Sequence, residues 1–380
     1  MMKNKQIGTL VAAGAVLASL AWMLSGPQPK KAAWMGSKLL PKLAINAVDE
    51  IRIATGSDTV RVVRTENGWV LPERYNYPAN FETVKQFMIK LADLKIGQVV
   101  KANDAQRQKM GFSSDSVVNL TLKAGANEIV TLAMGATRQT QGAQASPYGS
   151  IPDGRYVAIK GDPAVYLIGD AMNEASAQPS RWLDTALLDI TPEDVSTITL
   201  ENPEDGIIVL RRDDQGKVDF DPADAATPFD ESKAYGLSGA LNYLSFQEVA
   251  DPSLDDAALG FATARTFTLK TKAGIRYQLR VSDRIGESSE RYIRIKATAD
   301  QPAAAATADG GDDTAKKEAD KTLAAKADEL NKRFAPWTYK IASYKADTLV
   351  STRESLIKKP DPAPAEAAET TTTTEGIPHE

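Results

Sequence analysis

Few side chains in this sequence have the types and the spacing that catalysis or metal binding needs. The 380-residue chain has no cysteine, and its one histidine is His379. This excludes thiolate catalysis, and within one chain it excludes a Ser-His-Asp triad or a multi-histidine metal site. The carboxylates Asp213, Asp214, Asp219 and Asp221 resemble a calcium loop but lack the glycine and closing glutamate of an EF-hand, so we interpret them as a solvated turn. We predict no catalytic residue, no cofactor and no metal site.

The best candidates for a functional surface are residues that the sequence repeats. The pattern Arg-Tyr-x-x-Ile-Lys occurs twice, and a tryptophan follows each copy; the eight candidates are Arg155, Tyr156, Lys160, Arg291, Tyr292, Lys296, Trp182 and Trp337. Strand alternation places the arginine of each copy on one face of a sheet and the tyrosine and lysine on the other. Such a basic strand suits an acidic partner or a glycan, although a solvated sheet face is the simpler interpretation. The tryptophans suit either sugar stacking or packing in the core or between the units.

These candidates belong to a longer repeat that must position them. Residues 78–125 contain a capping Asn80, an apolar helical stripe to Leu94, a Gly111-Phe112 corner and an alternating strand. Residues 228–274 repeat that order, with Asp230 as the cap, a helix-like run to Leu244 and a Gly260-Phe261 corner. The sequence therefore predicts an α+β fold: two tandem repeats of a mostly antiparallel sheet with a packed helix.

The N-terminus carries the membrane signal. The uncharged stretch from Ile7 to Leu24 approaches the length of a spanning helix, and Lys3 and Lys5 precede it. We predict an uncleaved signal anchor; a signal peptide cleaved after Ala21 is the alternative. A short basic head stays inside, so the large domain is expected to be periplasmic and the protein a single-pass component of the inner membrane.

The domain boundaries follow from the repeat and from composition. We expect a short cytoplasmic head at 1–6, a transmembrane anchor at 7–25, a linker at 26–45, repeat unit 1 at 46–190 and repeat unit 2 at 191–357. Residues 138–154 are predicted to form a mobile loop, residues 300–318 a flexible insertion and residues 358–380 a disordered tail.

The pattern resembles a bacterial family known as domain of unknown function 4340. The resemblance rests on the alternating start at Val48, the Gly68-Trp69 turn, the Gly111-Phe112 corner, Tyr156, Trp182 and the Gly-Asp-Pro-x-Val-Tyr-Leu stretch at 161–167. It implies a single-span envelope protein found alongside ABC-transporter permeases and gliding-motility-type auxiliary components. The family has no established catalytic residues, so the resemblance assigns none here.

Together these observations favour a membrane-anchored extracytoplasmic binding or adaptor protein without catalysis of its own. The resemblance implies an auxiliary role in an ABC-type transport system, with a permease or auxiliary subunit as the membrane-protein partner. The net charge of −5 disfavours nucleic acid as a partner. Two alternatives remain: a structural or assembly protein of the envelope held by exposed sheet edges, and a carboxylate-based hydrolase.

Overall fold

The computed structural model describes residues 34–113, 115–139, 152–286, 289–300 and 313–358. The chain divides into two compact units, of which unit 1 ends at Asp184 and unit 2 begins at Thr185. Within the described ranges no helix is long and apolar enough to cross a membrane. The anchor predicted at 7–25, the tip of the predicted loop at 140–151, and nearly all of the tail, from residue 359 onwards, lie outside the described residues.

Unit 1 is built on one nine-stranded antiparallel sheet with the order β4-β3-β2-β1-β6-β7-β8-β9-β5. Its strands are β1 (Glu50–Thr55), β2 (Asp58–Thr65), β3 (Gly68–Leu71), β4 (Tyr77–Pro78), β5 (Ile96–Val100), β6 (Val118–Ala124), β7 (Asn127–Gln139), β8 (Pro152–Ile159) and β9 (Val165–Ile168). Its helices are α1 (Phe81–Asp93) and α2 (Asp104–Lys109), with 3-10 turns at Ile45–Ala47, Pro72–Arg74 and Pro179–Arg181.

Helix α1 forms where the sequence pattern predicts it. The Asn80 side chain accepts a hydrogen bond from the Thr83 N–H at 3.0 Å and so satisfies one free donor of the first turn. The stripe of Val84, Phe87, Met88 and Leu91 is buried. An isolated 13-residue helix has little stability of its own. Burial of such side chains stabilises a fold by about 1.5–3 kcal/mol each, which compensates for this.

Unit 2 contains an eight-stranded antiparallel sheet with the order β13-β12-β11-β16-β17-β18-β19-β15, and a separate pair, β10 with β14. The strands are β10 (Ala186–Leu188), β11 (Val195–Asn202), β12 (Gly206–Arg212), β13 (Val218–Phe220), β14 (Leu244–Ser245), β15 (Glu248–Val249), β16 (Arg265–Thr271), β17 (Ile275–Val281), β18 (Arg291–Ala299) and β19 (Tyr339–Ile341). The helices are α3 (Ala234–Ser238), α4 (Asp313–Phe334), α5 (Ser343–Leu349) and α6 (Arg353–Leu356), with 3-10 turns at Pro192–Asp194 and Glu231–Lys233. The chain thus has a mixed fold of large antiparallel sheets and few helices.

The eight strands of the unit 2 sheet correspond in order to eight of the nine strands of unit 1, and only β4 at the edge has no counterpart. Strand β11 lies between β12 and β16 as β1 lies between β2 and β6, and β18 lies between β17 and β19 as β8 lies between β7 and β9. The register agrees as well: Arg155 pairs with Ile168, and Arg291 pairs with Ile341. Residues of the two units can therefore be compared by their place in the sheet rather than by sequence spacing.

The helix predicted in the second copy is much shorter than expected. Asp230 caps the 3-10 turn, but α3 ends at Ser238, and only turns follow before β14. Gly236 and Gly239 explain the break, because each glycine costs a helix roughly 1 kcal/mol relative to alanine. Leu237, Leu241 and Leu244 are still buried, although the backbone that carries them is a short helix followed by turns.

The predicted equivalence of Trp182 and Trp337 is wrong. The carbonyl of Trp182 accepts the Asn80 N–H at 2.7 Å, and in unit 2 the carbonyl of Leu356 accepts the Asp230 N–H at 2.8 Å. Leu356 therefore takes the place of Trp182. Trp337 instead lies two residues before Tyr339, which is the first residue of β19. Helix α4 is inserted between β18 and β19 and has no counterpart in unit 1. The order of residues in the sequence therefore matched Trp337 to Trp182 incorrectly.

The two segments predicted to be flexible are partly ordered. Strands β7 and β8 extend into the predicted loop, where Arg138 pairs with Gly154 in the sheet. Helix α4 begins at Asp313, inside the insertion expected at 300–318, and packs against β18. There the Asn331 amide accepts a hydrogen bond from the Ala297 N–H and donates one to the Ala297 carbonyl, each at 2.8 Å. That side chain occupies the edge of β18 beyond the part that pairs with β19.

Candidate functional site

Unit 1 carries an open groove of about 1060 Å³ along the outer side of α1. One wall is the helix from its cap Asn80 to Asp93, and the other is the segment after β9, residues 169–174. The helix is placed there because its apolar stripe faces the core, which turns the opposite side towards solvent. The groove therefore forms on the solvent side of α1 as a consequence of how the helix packs in unit 1.

A lysine joins the two walls of this groove. The Lys90 Nζ lies 3.1 Å from the Asp170 carboxylate and 2.7 Å from that of Glu174. Burial lowers the pKa of Lys90, but the hydrogen bonds to Glu174 and Asp170 outweigh it, so the pKa is raised above 10.5. The two carboxylates hold the lysine charged and fix the segment after β9 to the helix.

The charged side chains in the rest of the lining are the carboxylates Glu82 and Asp93 and the cation Lys95, and its apolar side chains are Phe87, Ile89 and Leu94. Glu82 accepts hydrogen bonds from Gln86 and Lys85, which lower its pKa, and Asp93 pairs with Lys38 at 3.4 Å outside the groove. Ile89 is 46% exposed, a high value for an isoleucine on a helix that packs against a core. Four carboxylates and two lysines line the groove, so its charge is negative and it suits a segment with both aliphatic and cationic side chains.

The corresponding place in unit 2 is smaller and differently held. A groove of about 430 Å³ lies between the 3-10 turn with α3 and residues 347–356. Lys345, in α5, lies outside the lining of this groove, and its Nζ donates to the Asn242 carbonyl at 2.7 Å and to the carbonyls of Gly239 and Ala240. Burial lowers the pKa of Lys345. In unit 2 the lysine that joins the helix region to the segment after β19 thus comes from that segment, whereas in unit 1 the lysine comes from the helix.

Two of the predicted surface residues point inward. Arg155 is buried, and its Nε donates to the Gly135 carbonyl at 2.9 Å while its Nη1 donates to the carbonyls of Ala171 and Met172. Burial lowers the pKa of Arg155. Arg291 is also buried; its Nη1 donates to the Ser282 carbonyl at 2.9 Å, and its Nε has no hydrogen-bond partner among the described residues. Neither guanidinium group is available at the surface.

The tyrosines and lysines of the two patterns lie on the outward faces of the sheets. Lys160 forms an ion pair with Glu128 at 3.0 Å, whereas Lys296 is exposed. Tyr156 is half-buried, and Tyr292 packs against the cluster of Ala250, Leu259 and Phe261. Each arginine is thus on the opposite face of its sheet from the tyrosine and lysine that follow it.

The tryptophans have different surroundings. Trp182 is buried, its ring meets Phe87 edge-on at 5.1 Å, and its Nε1 donates to the Ser176 carbonyl at 2.9 Å. Trp337 is half-buried and borders a small cavity beside Pro336 and Thr338. Trp182 thus serves the core of unit 1, and a ligand has no access to its ring.

The groove residues Lys90, Asp170 and Glu174 were not found from the sequence. Asp170 and Glu174 follow β9 in a segment without periodicity, so no pattern connects them to the helix. The one available signal was Ile89, an apolar residue on the polar side of a helix whose stripe is otherwise regular.

The described residues contain no group of three or more acidic or histidine side chains that could hold a metal ion. Aspartates of the turn that resembles a calcium loop instead form hydrogen bonds and ion pairs within the protein. Asp213 accepts the N–H groups of Gln215 and Lys217, each at 2.9 Å, and Asp221 pairs with Arg211 at 2.8 Å.

Comparisons with known proteins give one match. No curated protein and no solved structure matches the chain. The profile of a family described as "Domain of unknown function (DUF4340)" matches residues 69–263, slightly more than half of the chain. This range includes α1, both walls of the groove in unit 1, the Gly111-Phe112 corner and the first strands of unit 2. The chain therefore belongs to the DUF4340 family.

Proposed function

We propose that this protein is a membrane-anchored extracytoplasmic binding or adaptor protein, an auxiliary component of an ABC-type transport system without catalysis of its own. The apolar stretch from Ile7 to Leu24 supports a single N-terminal anchor in the inner membrane. The family resemblance supports a membrane-protein partner, a permease or an auxiliary subunit. The large domain then lies on the periplasmic side, where it can reach the outward loops of such a partner.

The two units are best explained as a tandem duplication of one α+β module. The shared strand order and register support this, as do the Gly111 and Gly260 corners, which adopt φ of +82° and +74°. After a duplication one copy can keep a binding role while the other changes. In this proposal unit 1, which has the larger groove, is the copy that docks the partner.

The acidic groove of unit 1 is the observation that carries the proposal. Its exposed Ile89 gives an apolar anchor, and the four carboxylates of the lining outnumber its lysines, Lys90 and Lys95, which favours a cationic segment. A hydrolase would need one carboxyl that stays protonated as a general acid. Here Glu82 pairs with Lys85, Asp93 with Lys38, and Asp170 and Glu174 with Lys90, so each of the four carboxylates is engaged by a lysine. These features support binding rather than catalysis.

The alternative of a structural protein joined through sheet edges has less support. The outermost strands β4, β13 and β15 have two or three residues each, and short edge strands resist pairing with another chain. The longer edge strand β5 is partly covered, because the Ile96 N–H donates to the Ser37 carbonyl and the Ile96 carbonyl accepts the Gly36 N–H.

Co-purification from gently solubilised membranes tests the proposal. We expect the full-length protein to be recovered with a permease or an ATPase, and Ile89→Arg to reduce that recovery by roughly tenfold, because it places a cation where the partner supplies one. The matched control is Ile207→Arg, since Ile207 is 71% exposed in unit 2 and lies outside the groove. Recovery of the wild-type protein without any permease or ATPase would contradict the proposal.

A further inference from the structure

The outward faces of the two sheets differ in charge at matched positions. The register equates four outward-facing positions on β1, β6, β7 and β8 with four on β11, β16, β17 and β18. The positions are occupied by Glu50, Lys123, Glu128 and Lys160 in unit 1, and by Thr197, Lys270, Arg276 and Lys296 in unit 2. At these positions unit 1 thus has two carboxylates and two ammonium groups, whereas unit 2 has one hydroxyl group and three cations.

In unit 1 these charges neutralise one another. Lys123 lies 2.9 Å from Glu50, and Lys160 lies 3.0 Å from Glu128. The hydroxyls of Thr121 and Thr131, in the row between, bond to each other at 2.9 Å. These four charges of unit 1 are therefore paired with one another, while Arg52, across from Thr121 on the same face, is exposed and forms no ion pair with a described residue.

In unit 2 the cations outnumber the carboxylates that serve them. Asp300 alone pairs with Lys270 and Arg276, and Asp256 alone pairs with Arg280 and Arg294. Lys296 lies between these two groups, across the sheet from Gln278, and no described carboxylate forms an ion pair with it. We call Lys270, Arg276, Arg280, Arg294 and Lys296 the cationic patch. Its five cations have two carboxylates between them.

A polar row crosses the cationic patch from strand to strand. Thr199, Thr268, Gln278 and Lys296 are successive cross-strand partners, so a hydroxyl, a hydroxyl, an amide and an ammonium group recur at the strand spacing of about 4.8 Å. Strands β16 to β18 expose no large apolar side chain. Insertion into a lipid surface and the core of a protein interface both need such side chains. A flat row of hydrogen-bonding groups flanked by cations instead suits an extended, hydrophilic, anionic chain.

We propose that the cationic patch of unit 2 binds an extended anionic polysaccharide, with Lys296 contacting its carboxylate or phosphate groups and the row from Thr199 to Gln278 contacting its hydroxyls. This site is separate from the groove of unit 1 and does not depend on the function proposed for that groove. It gives the second copy of the module a ligand that the first copy does not take.

Titration of the full-length protein, in detergent and at low salt, with oligomers of polygalacturonate tests this. We expect binding that weakens with added salt, and Lys296→Glu should lower the affinity by roughly tenfold because it reverses one contacting charge. The matched control is Lys160→Glu at the equivalent position of unit 1, which should change the affinity less than about twofold. Equal losses in the two variants, or no binding by the wild-type protein, would overturn the proposal.

A variant with the opposite expected effect guards against loss through misfolding. Asp300→Asn removes the carboxylate that Lys270 and Arg276 share, so it should tighten polygalacturonate binding by roughly threefold to tenfold. Phosphatidylglycerol vesicles serve as the second probe and neutral dextran as the third. Binding to the vesicles but not to polygalacturonate would replace the polysaccharide with a lipid surface, and binding to dextran with equal affinity would remove the role of charge.

Discussion

In each unit a lysine links the helix region to the segment that follows β9 or β19, and the two lysines come from opposite sides of this contact. In unit 1 the lysine belongs to the last turn of α1 and reaches out to Asp170 and Glu174. In unit 2 the lysine belongs to α5 and reaches in to carbonyls that the shortened helix leaves open at Gly239, Ala240 and Asn242. Both cations lie near the C-terminal end of the helix, where the dipole favours positive charge. Both units thus place a lysine near the C-terminal end of the helix, and they supply it from different segments.

The largest expected effect tests the equivalence of Trp182 and Leu356. Trp182→Ala should lower the free energy of unfolding of unit 1 by about 4 kcal/mol, and Leu356→Ala that of unit 2 by about 3 kcal/mol, because both side chains are fully buried. Trp337→Ala should cost only about 1 kcal/mol, since Trp337 is half-buried. Native-state hydrogen exchange can follow each unit separately. A loss for Trp337→Ala as large as that for Trp182→Ala would restore the match made from sequence spacing.

The second comparison concerns the buried arginines. Arg155→Met should destabilise unit 1 by about 3 kcal/mol, because it leaves the carbonyls of Gly135, Ala171 and Met172 without that donor. Arg291→Met should destabilise unit 2 by only about 1 kcal/mol, because it removes the donor to Ser282 and a 3.6 Å ion pair with Asp283, but also a buried Nε that lacks a partner. Urea denaturation followed by hydrogen exchange measures both values. Equal losses would mean that the unpaired Nε has no energetic consequence.

The smallest effect is a difference in pH dependence. The pKa of Lys90 is raised above 10.5 in the folded protein, so its stabilising contribution is complete below pH 10.5 and is lost as the pH rises through the folded value. The pKa of Lys345 is lowered, so its contribution has the opposite sign: unit 2 gains stability as the pH rises towards 10.5.

Thermal unfolding between about pH 9 and pH 11 measures these contributions by comparison with Lys90→Gln and Lys345→Gln. Between wild type and variant, the difference in unfolding temperature should shrink with rising pH for Lys90. For Lys345 it should move in favour of the wild type. If the difference in unfolding temperature changed in the same direction for both lysines, the interactions of Lys90 and Lys345 would be equivalent.

How far the sequence predicts this molecule depends on how local each feature is. The Asn80 cap, the apolar stripe of α1 and the two Gly-Phe corners were correctly predicted, since each is decided by neighbouring residues. A side chain at Gly111 would come within 2.7 Å of the Ala136 nitrogen, so this position requires glycine for space as well as for its positive φ.

The failures involve contacts between distant segments. Alternation correctly placed Arg155 on the same face as Val157, but burial of that arginine depends on carbonyls 16 to 20 residues away. The short α3 keeps the buried leucines of a longer helix, so its apolar pattern did not reveal the change of backbone. The groove of unit 1 needs Asp170 and Glu174 beside Lys90, across 80 residues or more of sequence.

The contact between Asn331 and Ala297 has a consequence for solubility. A carboxamide side chain has the donor and acceptor of a peptide group, so here it replaces a neighbouring strand without allowing a further one to join. Without it, the free edge of β18 would be a template for strand exchange between molecules and for growth of fibrils. The insertion of α4 therefore closes the edge of β18 at Ala297, where the Asn331 amide satisfies both backbone groups.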